Sequence, residues 1–442
     1  MPRYLLLFLV LVVLFNASRV LREPRPDADR PMDFRTCYVG QAVLREGLNP
    51  YHDTTLKQGW QRIVRQEALS SRTQPGLPNL PFLYPPWAAA LFGLTIGQLP
   101  YRLAWPLWTA LAGLSLALLA WLWPLVLRSE NAPVAPWWHY LVAALALKGT
   151  VPALLTGQPT FVALALGVGA LAAARLGTSW LPFPLEATPA THEASAAVVA
   201  PALGGVTRRA VLAGLLLGLA AFKVTLLLPF AAWFLWQKQW ATLTVAAVLV
   251  ALLSAAAWHW AAFPADLLPT YQSLVAQVRA QAFDPSDPDY PLTQGMTLRL
   301  ELGNVLEWLQ PGSSPWHPLL HRSVWLAAGL RLFWLRRRGV VLAHWYLFLV
   351  LSFLTLLTTY HLYYDAVLLV PLLAFGFRLP KRLRWLLLAL LLPFFLPLNG
   401  IALALGNPAG LQFVYFLMPL ALLGALGLLL ARPVQARSAG EG

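Results

Sequence analysis

Apolar residues along this 442-residue chain fall into repeated runs, separated by short breaks that are basic or rich in Pro and Gly. The runs are about 13 to 25 residues long, the length that suits helices crossing a bilayer core of about 30 Å. Segments such as Leu5 to Leu14 and Leu386 to Leu392 do not alternate apolar with polar positions, which excludes a membrane β-barrel. The pattern predicts helices near 4–21, 103–127, 138–155, 159–174, 210–222, 224–236, 241–258, 318–335, 340–357, 362–377, 385–400 and 411–431. The fold class is thus an all-α polytopic membrane protein with about twelve crossings.

Composition agrees: 58% of residues are hydrophobic and only 11% charged, too few charges for a water-soluble surface. A net charge of +14 would suggest nucleic acid in a soluble protein, but here the cations cluster in the breaks and carry topology instead. Arg208 with Arg209, Arg336 to Arg338, Arg378 with Lys381, Arg382 and Arg384, and Arg432 with Arg437 mark inner loops, with both termini inside. Trp87 to Leu99 is apolar but short and follows Pro85-Pro86, so it is expected to be re-entrant or interfacial on the outer face. That placement puts seven of the eighteen carboxylates in outer residues 22–86 and six in 266–307. The residues from Tyr4 to Phe15 lack a following small-x-small site and read as a retained first helix.

The whole chain, 1–442, reads as one integral-membrane unit: a first helix over 1–21, an outer loop over 22–102, the remaining helices over 103–431, and a Thr/Ala/Pro-rich inner linker over 177–207. The single cysteine, Cys37, forms no intramolecular disulfide, and no metal-ligand spacing, Gly-rich phosphate loop or serine triad occurs. No cofactor is implied.

The chemistry gathers where the predicted topology places the outer ends of the helices. Asp33 and Arg35 lie in Met32-Asp33-Phe34-Arg35, followed by Gly47-Leu48-Asn49-Pro50-Tyr51 and Phe82-Leu83-Tyr84-Pro85-Pro86. Gln158 occupies a Gly-Gln-Pro turn, and Lys223 stands between two short spans. Thr293-Gln294-Gly295 with Arg299 follows, and Tyr360-His361-Leu362-Tyr363-Tyr364-Asp365 completes the set. Lys223 is the strongest of these signals, because an ammonium among apolar helices costs about 2.5 to 3.5 kcal/mol at the bilayer centre. Each residue also has a plainer reading. Lys223 would snorkel, Arg299 would be a surface charge beside Glu301, His361 an interface histidine, and Gln158 a turn cap. Lys148 has the same burial cost and reads as structural.

Taken in order from Met32 to about Pro371, these motifs resemble glycosyltransferase family 87, a GT-C superfamily group that includes polyprenyl-phosphate-mannose-dependent α-1,2-mannosyltransferases. The chain departs from the family pattern at Thr293-Gln294-Gly295, where Asn-Gln-Ser is frequent, and at Val224-Thr225, where a proline often follows the lysine. The resemblance implies a GT-C-like bundle whose first outer loop carries a catalytic carboxylate, here Asp33. It implies a polyprenyl-phosphate hexose donor, a lipid or glycan acceptor and surrounding membrane lipids as partners, with no nucleic acid. The expected location is the inner (plasma) membrane, with the active site on the extracytoplasmic face. Substrate contacts are expected from Lys223, His361, Arg299, Gln158, Tyr84, Asp365, Tyr364, Gln294 and Arg35. One base activating a hydroxyl for direct displacement predicts inversion at the sugar carbon. The competing class, a lipid-linked saccharide flippase, would need ionisable groups along a mid-membrane path rather than at one face.

Overall fold

The computed structural model describes residues 3–22, 32–69, 82–128, 132, 134–176, 207–260, 264–281, 299–310, 314–359, 361–396 and 408–434. Every regular element among them is helical, and an isolated antiparallel bridge joins Arg299 to Leu362.

Helix α1 (Arg3–Arg22) precedes three short helices, α2 (Met32–Arg45), α3 (Asp53–Gln66) and α4 (Pro86–Leu94). With nine residues, α4 spans about 14 Å, well short of a bilayer core. Then come α5 (Tyr101–Arg128), α6 (Trp137–Ala146), α7 (Thr150–Thr156), α8 (Thr160–Leu176), α9 (Arg208–Ala220), α10 (Val224–Trp236) and α11 (Trp240–Trp260). The chain continues through α12 (Leu267–Gln281), α13 (Gly303–Leu309), α14 (His317–Arg337), α15 (His344–Thr358), α16 (Leu372–Arg378), α17 (Lys381–Phe395) and α18 (Pro408–Ala431).

Among the described residues, three helical runs are long and apolar enough to cross a membrane, Tyr101–Arg128, Arg208–Trp236 and Trp240–His259, and α6 with α7 qualifies as a pair bent by 79°. Side-chain exposure gives the same answer. On α5, Leu103, Leu107, Leu111, Leu114 and Leu118 recur every three or four residues and are all exposed, an apolar stripe suited to lipid rather than water. The opposite face buries Trp108, Ala112, Leu119 and Trp123. The protein is a helical membrane protein.

The run Arg208–Trp236 is not straight. Lys223, at φ −116° and ψ 77°, leaves the helical region between α9 and α10. Lys223 reaches Thr160 at the start of α8, Gly169 lies against Leu216, and the Arg175 guanidinium sits 5.1 Å over Trp233. Thus α9 runs antiparallel to α8 and α10 returns beside it, with Lys223 at the turn. The Trp233 indole donates to the His344 carbonyl at the start of α15, where Arg378 also lies over Trp345. That end of the bundle is arginine-rich; Lys223 and the end of α15 lie at the other.

Two expected spans are interrupted. The predicted helix over 138–155 breaks at Leu147–Gly149, where the Lys148 N–H bonds the Phe394 carbonyl instead of continuing the helical ladder. The predicted helix over 362–377 begins as a 3-10 helix, Tyr363–Leu369, and becomes α-helical only after Pro371, which has no N–H to donate. Gln294 and the linker over 177–206 lie outside the described residues.

Candidate active site

Helix α2 presents Asp33 in its first turn. Its carboxyl lies near the Gln158 amide, the Lys223 ammonium and the Thr156 hydroxyl, the last of which donates to the Ala153 carbonyl at 3.4 Å. All three favour the carboxylate, yet burial outweighs them and holds Asp33 above the ordinary carboxylate range. Arg35, two residues on, points about 200° around the helix from Asp33. It is buried, with its guanidinium 5.1 Å from the Trp60 ring and close to Tyr101, on the side of α2 away from the polar cluster.

Lys223 and Asp365 form the second half of the cluster. The ammonium donates to Asp365 Oδ1 at 2.8 Å and to Thr160 Oγ1 at 2.5 Å, and lies 4.9 Å from the Tyr364 ring. Thr160 Oγ1 in turn donates to Asp365 Oδ1 at 3.0 Å. The other carboxylate oxygen, Oδ2, faces His361 Nδ1 at 3.0 Å and accepts from the Leu362 N–H at 3.4 Å. His361 is fully buried, and its Nε2 has no hydrogen-bond partner among the described residues. A carboxylate held on Nδ1 leaves Nε2 to meet a ligand.

Arg299 arrives through the backbone: it bridges Leu362, and the next residue's N–H donates to the His361 carbonyl at 2.9 Å. Its side chain forms a buried ion pair with Glu301 at 3.1 Å. Tyr84 precedes the short helix α4. Its phenol lies near the Cys37 thiol and senses both Asp33 and Asp365, and burial pushes its pKa well above the usual value. Burial likewise pushes the Cys37 thiol up, so it stays protonated. The Tyr84 carbonyl accepts from the Tyr51 hydroxyl at 2.8 Å, which ties the Asn-Pro-Tyr segment to the cluster.

The structure therefore brings Asp33, Gln158, Lys223, His361, Asp365, Tyr84 and Tyr364 together at one end of the bundle. Arg299 stands beside them through its backbone, and Arg35 is elsewhere. Sequence reasoning misses Thr156, Thr160 and Cys37. The two threonines flank the Gly-Gln-Pro turn at helix ends, where a hydroxyl is expected as a cap whatever else it does.

The cluster holds a carboxylate poised to take a proton, an ammonium, an imidazole with a spare nitrogen and several hydroxyls. That set can deprotonate a hydroxyl while holding an anion. No curated protein and no solved structure matches the chain. The family model for glycosyltransferase family 87 matches residues 82–359, which include Tyr84, Gln158, Lys223 and Arg299 but stop short of Asp33 on one side and His361 on the other. A match over more than half of a chain built as a helical membrane protein assigns it: the protein belongs to glycosyltransferase family 87 and is a membrane glycosyltransferase.

Proposed function

We propose that this enzyme transfers a hexose, mannose in the first instance, from a polyprenyl-phosphate carrier to a hydroxyl of a lipid or glycan. The reaction takes place at the extracytoplasmic face of the inner membrane, in a bundle of about twelve crossings. The observation that carries this reading is the ion pair of Lys223 with Asp365, buried at the same end of the bundle as the Asp33 carboxyl.

Asp33 takes the proton of the acceptor hydroxyl as its oxygen attacks the anomeric carbon. The bond from that carbon to the phosphate oxygen breaks, and its electron pair leaves with the lipid phosphate. Lys223 and His361 Nε2 meet the charge developing on that phosphate. Asp365 keeps both in place through its two oxygens. Attack opposite the leaving phosphate inverts the sugar carbon. Tyr84, Tyr364 and Gln158 surround the same space, with Arg299 and Gln294 as further substrate contacts.

The test is purified protein incubated separately with radiolabelled polyprenyl-phosphate mannose and polyprenyl-phosphate glucose, with extracted membrane lipids as acceptors. Label from the mannosyl donor is expected in a lipid or glycan product of inverted configuration. Transfer from neither donor, or product of retained configuration, would overturn the reading.

A further inference from the structure

Helix α14 turns one face to its neighbours, where Ala328, Leu332 and Leu335 are buried. On its other side Leu326, Leu330, Phe333 and Trp334 are exposed, an apolar stripe that runs toward the arginine-rich end of the bundle. There the stripe meets an ordered group of guanidinium ions. Arg338 lies 3.7 Å over the Trp334 ring and Arg331 lies 4.4 Å over the same ring, while Arg337 lies 5.2 Å over Phe333. The Arg331 Nε also donates to the Leu430 carbonyl at 3.1 Å, which places this group in the corner between α14 and the end of α18.

Stacking holds a guanidinium by its face and leaves its N–H bonds pointing outward in its own plane, where a phosphate can take two at once. Because Arg331 and Arg338 share one ring, their charges stand no more than about 8 Å apart, a span that one phosphate can bridge. Like charges so close repel, and an anion between them turns repulsion into attraction. Among the described residues no carboxylate pairs with Arg331, Arg337 or Arg338. From Trp308 to Gly440 the chain carries eleven Lys and Arg against one acid, Asp365, which is paired with Lys223 at the opposite end of the bundle.

We propose that this corner of α14 and α18 binds one anionic phospholipid of the adjoining leaflet, its phosphate between Arg331 and Arg338 and its acyl chains along Phe333, Leu330 and Leu326. The stripe and the arginines together select that occupant. A soluble anion would neutralise the arginines and leave the apolar stripe uncovered. A zwitterionic lipid would cover the stripe but bring its own ammonium group toward the cations. An anionic lipid satisfies both, as basic pockets between membrane helices do elsewhere. The site lies at the far end of the bundle from the transfer chemistry, and it does not depend on the roles given to Asp33 and Lys223.

The experiment titrates the full-length protein, in a neutral detergent, with dioleoyl-phosphatidylglycerol and separately with dioleoyl-phosphatidylcholine, counting bound lipid by native mass spectrometry. Wild type is expected to hold one phosphatidylglycerol at least about tenfold tighter than phosphatidylcholine, the effect of a hydrogen bond between charged groups. Arg331→Gln combined with Arg338→Gln should abolish that preference. Trp334→Leu, which keeps both charges but removes the ring that aligns them, should weaken phosphatidylglycerol binding about threefold. Arg208→Gln combined with Arg209→Gln removes the same charge at the start of α9, at the same end of the bundle, and should leave the preference in place. Equal binding of the two lipids by wild type would overturn the proposal. So would an equal loss in the α9 pair, which would mean diffuse charge attraction, or displacement of the lipid by inorganic phosphate at the lipid's own concentration, which would mean a soluble-anion site. Melting temperatures of the same samples identify a variant that merely unfolds. Should the double variant do so, Arg338→Gln alone decides, since it leaves the bond from Arg331 to Leu430 intact: an unchanged preference in that variant would refute the site.

Discussion

Lys223 and Asp365, 142 residues apart in the chain, meet at 2.8 Å, and the Thr160 hydroxyl closes the triangle between them. The pair resolves the cost of an ammonium among apolar helices: the charge is buried with its counter-ion, at a turn where the end of α9, the start of α8 and the residues after α15 converge. Removing one partner of such a pair costs more than the pair itself contributes, because the survivor is left charged and unpaired. The Asp365 carboxylate, however, has a second partner in His361.

Lys223→Met should therefore insert and fold, since the apolar side chain removes a charge from the bundle and Asp365 keeps His361 and Thr160. Donor affinity should fall by about tenfold or more, the loss of a charge-assisted contact worth about 1.5 to 3 kcal/mol. Affinity for polyprenyl-phosphate mannose and detergent melting, measured on one preparation, check both halves. Unchanged affinity would remove Lys223 from the donor site.

Asp365→Asn leaves Lys223 without its counter-ion and offers one amide oxygen where Lys223 and His361 each had their own, so it should weaken donor use more than Lys223→Met does. If Lys223 and His361 touch one phosphate, Lys223→Met and His361→Ala combined should cost less than the sum of the single effects. Strict additivity in donor affinity would place them on different groups.

The dependence on pH follows from Asp33. An acid whose pKa is raised by burial binds its proton more tightly when folded than unfolded. Its contribution to stability is then fully present below the unfolded pKa near 4 and is lost as pH rises through the folded value. Asp33→Asn should accordingly melt above wild type at pH 7, with the gap closing toward pH 4. Activity runs the other way: a base must be ionised, so the acid limb of kcat/KM should have its midpoint above the usual carboxylate value of about 4. Equal melting at pH 7, or a limb below that value, would contradict a buried base.

Gly157→Ala forces a side chain into a backbone conformation that disfavours it and against Phe34. A loss of about 1 to 3 kcal/mol in stability is expected, together with reduced activity because Phe34 carries Asp33. Melting and transfer assays on the purified variant check this, and wild-type values for both would show that the turn yields.

The orientation of the site is testable by labelling a Cys37-free protein with a membrane-impermeant thiol reagent. Cysteines placed near Asp53 should react from outside, and one placed at Gly339, beside Arg336 to Arg338, only after permeabilisation. External reaction at Gly339 would invert the proposed topology.

The sequence makes some of this arrangement legible and not the rest, for physical reasons. Lys223 stands out because charge is costly between apolar runs, whereas His361 and Asp365 are marked by the motif series, and the ion pair of Asp365 with Lys223 is visible only in the fold. The reversal at Lys223 is visible as two runs each too short to cross easily. Arg35 misleads because a helix turns Asp33 and a residue two places on to different sides, a consequence invisible until α2 is known to start at Met32. Thr156 and Thr160 are silent because a threonine at a helix end already has a local use, and only the tertiary approach of Asp33 and Lys223 gives it another. The breaks at Lys148 and before Pro371 are hidden likewise, since the first depends on a carbonyl supplied by Phe394.

The central claim is that Asp33 is the base of sugar transfer, and the most direct measurement is the rate of label transfer from radiolabelled polyprenyl-phosphate mannose by Asp33→Asn against wild type. The substitution keeps size and shape and removes only basicity. The account predicts a loss of about 10²- to 10⁴-fold, as for other positioned general bases, with donor affinity and folding preserved. Retention of more than about a tenth of the wild-type rate, far outside that range, would contradict it and move the base to another carboxylate.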